Sequence, residues 1–303
     1  MVNLSVNIAK LKLKNPVLVA SGTFGCGEEF KDLIDLNRIG AIVSKTITLM
    51  PRQGNPMPRV IETPCGLLNC IGLHNNGIDY FIKHKIPFLG KLSTRVIISI
   101  SGESVKEFKK IAKALNQLAA VDAIELNISC PNIRDKAKLV SQDPKAAYQV
   151  VRAVREVTKK TLITKLSPNV TDIVLIARAV QEAGTDAVSL INTVYGMSID
   201  LVKRKPRLAG VFGGLSGPAI KPIALYMVHQ VASKIKLPII GVGGIMTASD
   251  ALEFMLAGAS AVELGTVNFI NPKASIEVIK GIKKYLIKHK IKDIKKIIGA
   301  LKI

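Results

Sequence analysis

Tryptophan is absent from the 303 residues, and aromatic side chains make up only 4% of them. That is poor material for the stacking platforms on which single-stranded nucleic acids are held. Cysteine is scarce: Cys26, Cys65, Cys70 and Cys130 are the full complement, no two form a CxxC pair, and only four histidines accompany them. A zinc or iron–sulfur centre built within the chain is therefore not expected, nor is a disulfide framework in a chain of this size. No window reaches the roughly 18 uncharged, strongly apolar residues that a membrane span requires. Lys10, Lys12 and Lys14 interrupt the place where a signal peptide needs an unbroken apolar core. The expectation is a soluble, cytoplasmic protein. Acidic residues are the minority charge, 22 against 43 Lys and Arg, which leaves a formal +21. Such a balance suits nucleic acid, anionic substrates or an acidic partner protein. The charge is scattered lysine without clustered arginine and aromatics, so a nucleic-acid partner is set aside.

What is present is a core. Apolar residues are 48% of the chain and charged ones 21%, which excludes disorder and collagen-like composition. The length fits one large α/β barrel or two mid-sized domains. Short β-branched runs alternate with helix-period segments: Val17–Ser21, Ala41–Lys45, Val96–Ile100, Ala123–Asn127, Leu162–Leu166, Ala187–Ile191, Ile239–Gly243 and Ala261–Gly265. Each is almost continuously apolar, as parallel strands covered on both faces are. Helices carry their own punctuation. Asp143-Pro144 reads as an N-cap with Pro at the first helical position, Thr171 caps a helix closed by Gly184, and Thr247 with Asp250 forms a capping arrangement closed by Gly258. Eight such units match a (β/α)8 TIM barrel, which takes about 250 residues plus insertions. No linker-like stretch suggests a second domain, so residues 1–303 are read as one unit. Residues 4–13 read as an N-terminal hairpin below the barrel. Residues 46–90 and 192–218 read as long Gly-, Pro- and Asn-rich loops at the C-terminal face of the strands, a length that usually signals function. From Lys280 onward the chain reads as a solvated amphipathic helix.

Barrel active sites form at the C-terminal ends of the strands. Those ends are Ser21-Gly22, Lys45-Thr46, the run from Asn127 to Asn132, Lys165, Asn192-Thr193, Gly243-Gly244 and Gly265-Thr266. No carboxylate pair stands among them, which argues against a glycosidase. Gly243-Gly244 and Gly265-Thr266 follow the seventh and eighth strands, where barrels commonly bind phosphate; the plainer reading is ordinary turns. The stretch Gly22 to Gly27 has glycines in GxxGxG order, and the next strand ends in Lys45 instead of a ribose-binding acid, so it is not a dinucleotide fingerprint. Cys130 lies beyond its strand in a polar loop, where a thiol serves as nucleophile or general base, although a free cysteine is more often a small buried hydrophobe. Cys26, Cys65 and Cys70 lack such company and are read as structural. Lys45 and Lys165 emerge from strands, so each is read as pairing with a carboxylate or an anionic ring, as a Schiff-base nucleophile, or as plainly solvated.

Taken together, Asn127–Asn132 (Asn-Ile-Ser-Cys-Pro-Asn), Asn69–Leu73, Lys165–Val170, Ile191–Thr193 and Gly213–Pro218 resemble the class 1 dihydroorotate dehydrogenases, from about residue 3 to residue 300. The stretch Gly214–Pro222 is more similar to the NAD-dependent class 1B than to the fumarate-reducing class 1A. The resemblance implies an FMN-containing barrel that oxidises dihydroorotate to orotate in pyrimidine biosynthesis. It implies Cys130 as catalytic base. It places FMN on Ser21, Lys45, Thr46, Asn127, Lys165, Ile191, Gly217, Gly243, Gly244, Gly265 and Thr266, the last four at its phosphate. It places the pyrimidine on Lys45, Asn69, Cys70, Ile71, Gly72, Leu73, Asn127, Asn132, Asn192 and Thr193; carboxamides suit ring N–H and C=O groups because one side chain both donates and accepts. Lys165 would stabilise the reduced flavin electrostatically. The resemblance also implies a homodimer core with a second subunit carrying FAD and a 2Fe–2S cluster, a heterotetramer that passes electrons to NAD. No metal site is expected in this chain, nor the membrane-facing extension of the quinone-linked class. Ser99 departs from the Asn common at that position in class 1B, and Cys70 and His74 replace residues more often Ala and Gln. The alternatives are a class 1A-like enzyme or a dihydropyrimidine dehydrogenase-like flavoenzyme.

Overall fold

The computed structural model describes residues 2–128, 134–135 and 138–302. Eight parallel strands close into a barrel in chain order: β1 (Val17–Val19), β2 (Ala41–Val43), β3 (Arg95–Ile100), β4 (Ala123–Asn127), β5 (Thr161–Lys165), β6 (Ala187–Leu190), β7 (Ile239–Val242) and β8 (Ala261–Leu264). Apart from Arg95 every residue of these strands is buried, because side chains on one face fill the barrel and those on the other meet the helices. Their ends differ by a residue or two from the runs read in the sequence. Opposed residues of a parallel ladder face the same side, so register decides what fills the interior. Ser99 stands opposite Glu125, Asn127 opposite Lys165, Lys165 opposite Ser189, and Val242 opposite Glu263.

The helices are α1 (Gly77–His84), α2 (Ile86–Leu89), α3 (Val105–Asn116), α4 (Pro144–Arg155), α5 (Ile173–Glu182), α6 (Lys221–Ala232), α7 (Ala248–Leu256), α8 (Val267–Ile270) and α9 (Ala274–Lys288). Asp143 caps α4 by accepting the Lys145 N–H at 2.9 Å, with Pro144 at the first helical position. Thr247 and Asp250 form a full capping box on α7. The start of α5 differs from expectation. Asp172 is its cap, accepting the Val174 N–H at 2.8 Å, and Thr171 lies one residue outside. A carboxylate there also meets the positive end of the helix dipole.

Residues 6–8 and 11–13 form the expected hairpin, and the Lys12 carbonyl accepts from Arg95 at the start of β3, the N-terminal side of the barrel. The two long segments are not structureless. Val60–Thr63, Gly66–Asn69, Gly213–Ser216 and Val194–Gly196 pair as a four-stranded antiparallel sheet, in which Gly214 opposes Asn69. Two insertions remote in sequence thus build one lid over the strand ends. The lysine-rich end is not merely solvated. Val278, Ile282 and Leu286 of α9, four residues apart, are buried against β1 and α7, while Lys280, Lys283 and Lys284 face outward. Among the described residues no helix is long and apolar enough to cross a membrane.

Candidate active site at the barrel mouth

Three groups of atoms converge where the strands end. The first is a polar ring on the wall. The Thr46 and Ser99 hydroxyls lie 2.9 Å apart, Asn127 Nδ2 donates to Thr46 Oγ1 at 3.2 Å, and Asn192 Nδ2 approaches Asn127 Oδ1 at 3.5 Å. Ser99 is fully buried and its N–H donates to Ser44 Oγ, so it is part of this wall although the resemblance had set it aside. The Asn192 side chain also accepts the Thr193 N–H, and Asn169 Nδ2 donates to the Thr193 carbonyl at 3.0 Å. Ile191 is buried and donates its N–H to the Val242 carbonyl.

The second group is the floor. Lys165 Nζ reaches across the barrel to Glu263 Oε2 at 3.3 Å, and Ser189 Oγ donates to Glu125 Oε2 at 2.9 Å. Lys165 is 4% exposed, Glu263 1% and Glu125 0%. Reading only the residues past each strand missed both carboxylates, which lie one turn of the pleat deeper. The signal was there, since an acid at the inward phase of an otherwise apolar strand, as in AIELN and AVEL, has no bland place to go. Burial pushes the Glu263 carboxyl up to about 8, with the Glu125 charge adding to the rise and Lys165 opposing it. Burial disfavours the Lys165 ammonium, but Glu125 and Glu263 outweigh it and hold its pKa above the usual lysine value. Glu263 is thereby pushed toward its protonated form while Lys165 keeps its charge.

Lys45, at the end of β2, differs from Lys165. It is half-buried, and no ion pair reaches it among the described residues. Burial lowers its pKa and the nearby Arg59 charge lowers it further. A cation so placed favours an incoming anion.

The third group is a cradle of backbone N–H groups. Gly243 (φ 130°) and Gly244 (φ 71°) turn the chain out of β7, and Gly265 and Thr266 follow β8. No carbonyl or side chain accepts the N–H of any of these four among the described residues. A Cβ on Gly244 would lie 2.8 Å from the Gly217 carbonyl oxygen, and one on Gly217 would lie 3.5 Å from Thr266 Cγ2, so these residues adjoin. Thr266 Oγ1 donates to Ser216 Oγ at 2.8 Å, tying the lid to β8. Clustered donors without internal acceptors are what an oxyanion needs. Lys221 is not part of it, being held by Asp250 at 2.6 Å and Glu253 at 3.1 Å.

The lid closes the pocket from above. Asn69 Nδ2 donates to the Gly214 carbonyl at 3.2 Å, and Thr193 packs so closely on Gly214 that a Cβ there would meet Thr193 Oγ1 at 2.0 Å. The loop from Cys70 through Ile71 and Gly72 to Leu73 is half-buried and pinned from outside. Asn55 Nδ2 donates to the Cys70 carbonyl at 2.7 Å, the Asn55 N–H to that of Ile71, and Asn75 Nδ2 to that of Leu73. Gly72 and Leu73 both take positive φ, 74° and 57°. Ser21 is half-buried at the end of β1, beside open space over Gly22. Cys130 and Asn132 lie outside the described residues. Cys26 is buried with its thiol pushed up to about 12 by burial, then by Glu29, as befits an unreactive structural cysteine.

The family model for dihydroorotate dehydrogenase matches residues 3–286. A protein of Geotalea uraniireducens (strain Rf4) named dihydroorotate dehydrogenase B (NAD(+)), catalytic subunit, is 55% identical over 299 residues, 99% of this chain and 98% of its own length. A protein of the same name from Bacteroides thetaiotaomicron is 54% identical over 303 residues, 100% of both chains. Another, from Thermoanaerobacter sp. (strain X514), is 52% identical over 301 residues, 99% of each. By these matches over its full length, the chain belongs to the dihydroorotate dehydrogenase family.

Proposed function

We infer that this chain is the catalytic subunit of an NAD-linked dihydroorotate dehydrogenase, oxidising dihydroorotate to orotate in pyrimidine biosynthesis. The observation that carries the reading is the juxtaposition at one barrel mouth of four backbone N–H groups without an acceptor among the described residues and the buried Lys165. Such a mouth fits a cofactor with a phosphate at one end and an electron-accepting ring at the other, and we assign it FMN. Gly243, Gly244, Gly265 and Thr266, with Gly217 beside them, would hold the phosphate. Ser21, Lys45, Thr46, Asn127, Lys165 and Ile191 would hold the ring system. Bound FMN supplies the hydride acceptor.

The remaining chemistry belongs to the chain. Dihydroorotate loses a proton from C5 and a hydride from C6 to become orotate. Cys130 takes the C5 proton. Lys45, with no ion pair among the described residues, binds the substrate's carboxylate. Asn69, Asn127, Asn132 and Asn192 hold the ring amides with Thr193, and the Cys70–Leu73 loop covers them. Lys165 contributes positive charge beneath the site, where developing negative charge is favoured most in a low-dielectric setting. The chain carries no dinucleotide fingerprint, so electrons leave for NAD through a partner subunit, to which we assign FAD and a 2Fe–2S cluster in a heterotetramer. Heat-released cofactor from the purified chain tests the first assignment. FMN at about one per chain is expected; FAD, or no flavin after reconstitution, contradicts it.

A further inference from the structure

Glu125 and Glu263 are used by none of the steps above, yet they are the most deeply buried acids in the described chain. Glu263 Oε2 lies 3.3 Å from Lys165 Nζ, and Glu125 Oε2 accepts from Ser189 Oγ at 2.9 Å. The second oxygen of each carboxyl, Oε1, is buried without a hydrogen-bond partner among the described residues. The adjoining ladder positions present Leu18, Ser99, Ser189 and Val242, none of them ionisable. Among the described residues, the charges acting on Lys165 and Glu263 are those of Lys165 and the two glutamates. Two carboxylates and one ammonium in a closed interior sum to an uncompensated negative charge, which such a site does not tolerate. Burial and the nearby Glu125 charge both favour the protonated form of Glu263.

We propose that Glu263 holds a proton beneath Lys165, and that it is a positioning residue whose proton keeps the floor of the flavin site neutral. The consequence for the cofactor rests on the reading that the flavin ring lies over Lys165. Charge arriving above Lys165 tightens the hold of Glu263 on its proton. Where Glu263 has begun to lose that proton to solvent, reduction must draw it back. The rise of the Glu263 carboxyl to about 8 sets the start of that range.

Infrared spectroscopy and flavin potentiometry test the two parts separately. The flavin-free wild type should show a carboxylic-acid C=O band at pH 7, titrating away near pH 8. Both Glu263→Gln and Glu125→Gln should abolish it, since either substitution leaves one carboxylate for one ammonium. No such band in the wild type, or its survival in Glu263→Gln, overturns the Glu263 proton, and the wild-type spectrum stands even if a variant fails to fold. In the loaded protein, the wild-type flavin potential should steepen above pH 8 by one further proton per electron pair. That is a tenfold change in the reduction equilibrium per pH unit, about 30 mV. Glu263→Gln should lack the extra slope. Equal slopes, in a protein whose Lys165→Met variant shifts the potential, overturn the coupling and leave the site reading intact. A potential unmoved by Lys165→Met overturns the site reading itself.

Discussion

Lys45 and Lys165 show how environment divides labour between two side chains that look alike in sequence. Lys165 already has a protein carboxylate, whereas no ion pair reaches Lys45 among the described residues. Lys45→Ala should therefore weaken orotate binding by roughly 10- to 100-fold, the loss of one charged hydrogen bond, with little change in thermal stability. Orotate titration and a melting curve measure both, and unchanged affinity removes Lys45 from the pocket. Cys130→Ala should still bind FMN and orotate but slow flavin reduction by about 10²- to 10⁴-fold. Cys130→Ser should lie below the wild type near neutral pH, because a hydroxyl is harder to deprotonate. Near wild-type reduction by Cys130→Ala in stopped-flow absorbance would end its role as base. Glu263 carries a pH signature in stability as well. Its folded pKa of about 8 is raised above the ordinary carboxyl value. Stability contributed by its proton is thus full at low pH and is lost as pH climbs through the window between them. The melting temperature of Glu263→Gln should accordingly gain on the wild type from pH 5 to pH 8; a constant difference contradicts a protonated Glu263.

At the scale of elements, the barrel strands were legible because two-sided burial writes continuous apolar runs into the chain. The capping box on α7 was legible because Thr247 and Asp250 sit three apart. The α5 cap was not, since Thr171 and Asp172 both have capping side chains and only the geometry of entry selects between them. The lid was read as loop because its strands are short and pair across about 145 residues, as in Gly214 with Asn69, which no local period reports. The floor acids were hidden for another reason: strand ends were sampled, and the decisive positions lie within β4 and β8. Two substitutions separate helix stability from cofactor binding. Thr247→Ala should cost about 1 kcal/mol of stability through the lost cap and leave flavin content unchanged. Gly244→Ala puts a side chain at φ 71° and 2.8 Å from the Gly217 carbonyl oxygen, so flavin content should fall steeply. Equal flavin retention by both variants would dissociate the cradle from the phosphate.

For the molecule as a whole, the described residues hold no cluster of His, Cys, Asp and Glu that could bind a metal ion. The four cysteines are wrongly spaced for a cluster. The purified chain alone should thus reduce artificial dyes while reducing NAD slowly or not at all. Adding a flavin and iron–sulfur subunit should restore NADH formation, followed by absorbance. Rapid NADH production by the chain alone, or brisk turnover with fumarate, would break the link to the NAD-coupled type. The central claim is that dihydroorotate delivers its hydride within this chain, and anaerobic titration of the flavin-loaded protein with dihydroorotate reaches it most directly. The account predicts that the visible flavin bands bleach at about one equivalent, with orotate appearing in step. Bands that persist with excess dihydroorotate, in a protein whose flavin a chemical reductant still bleaches, would contradict it.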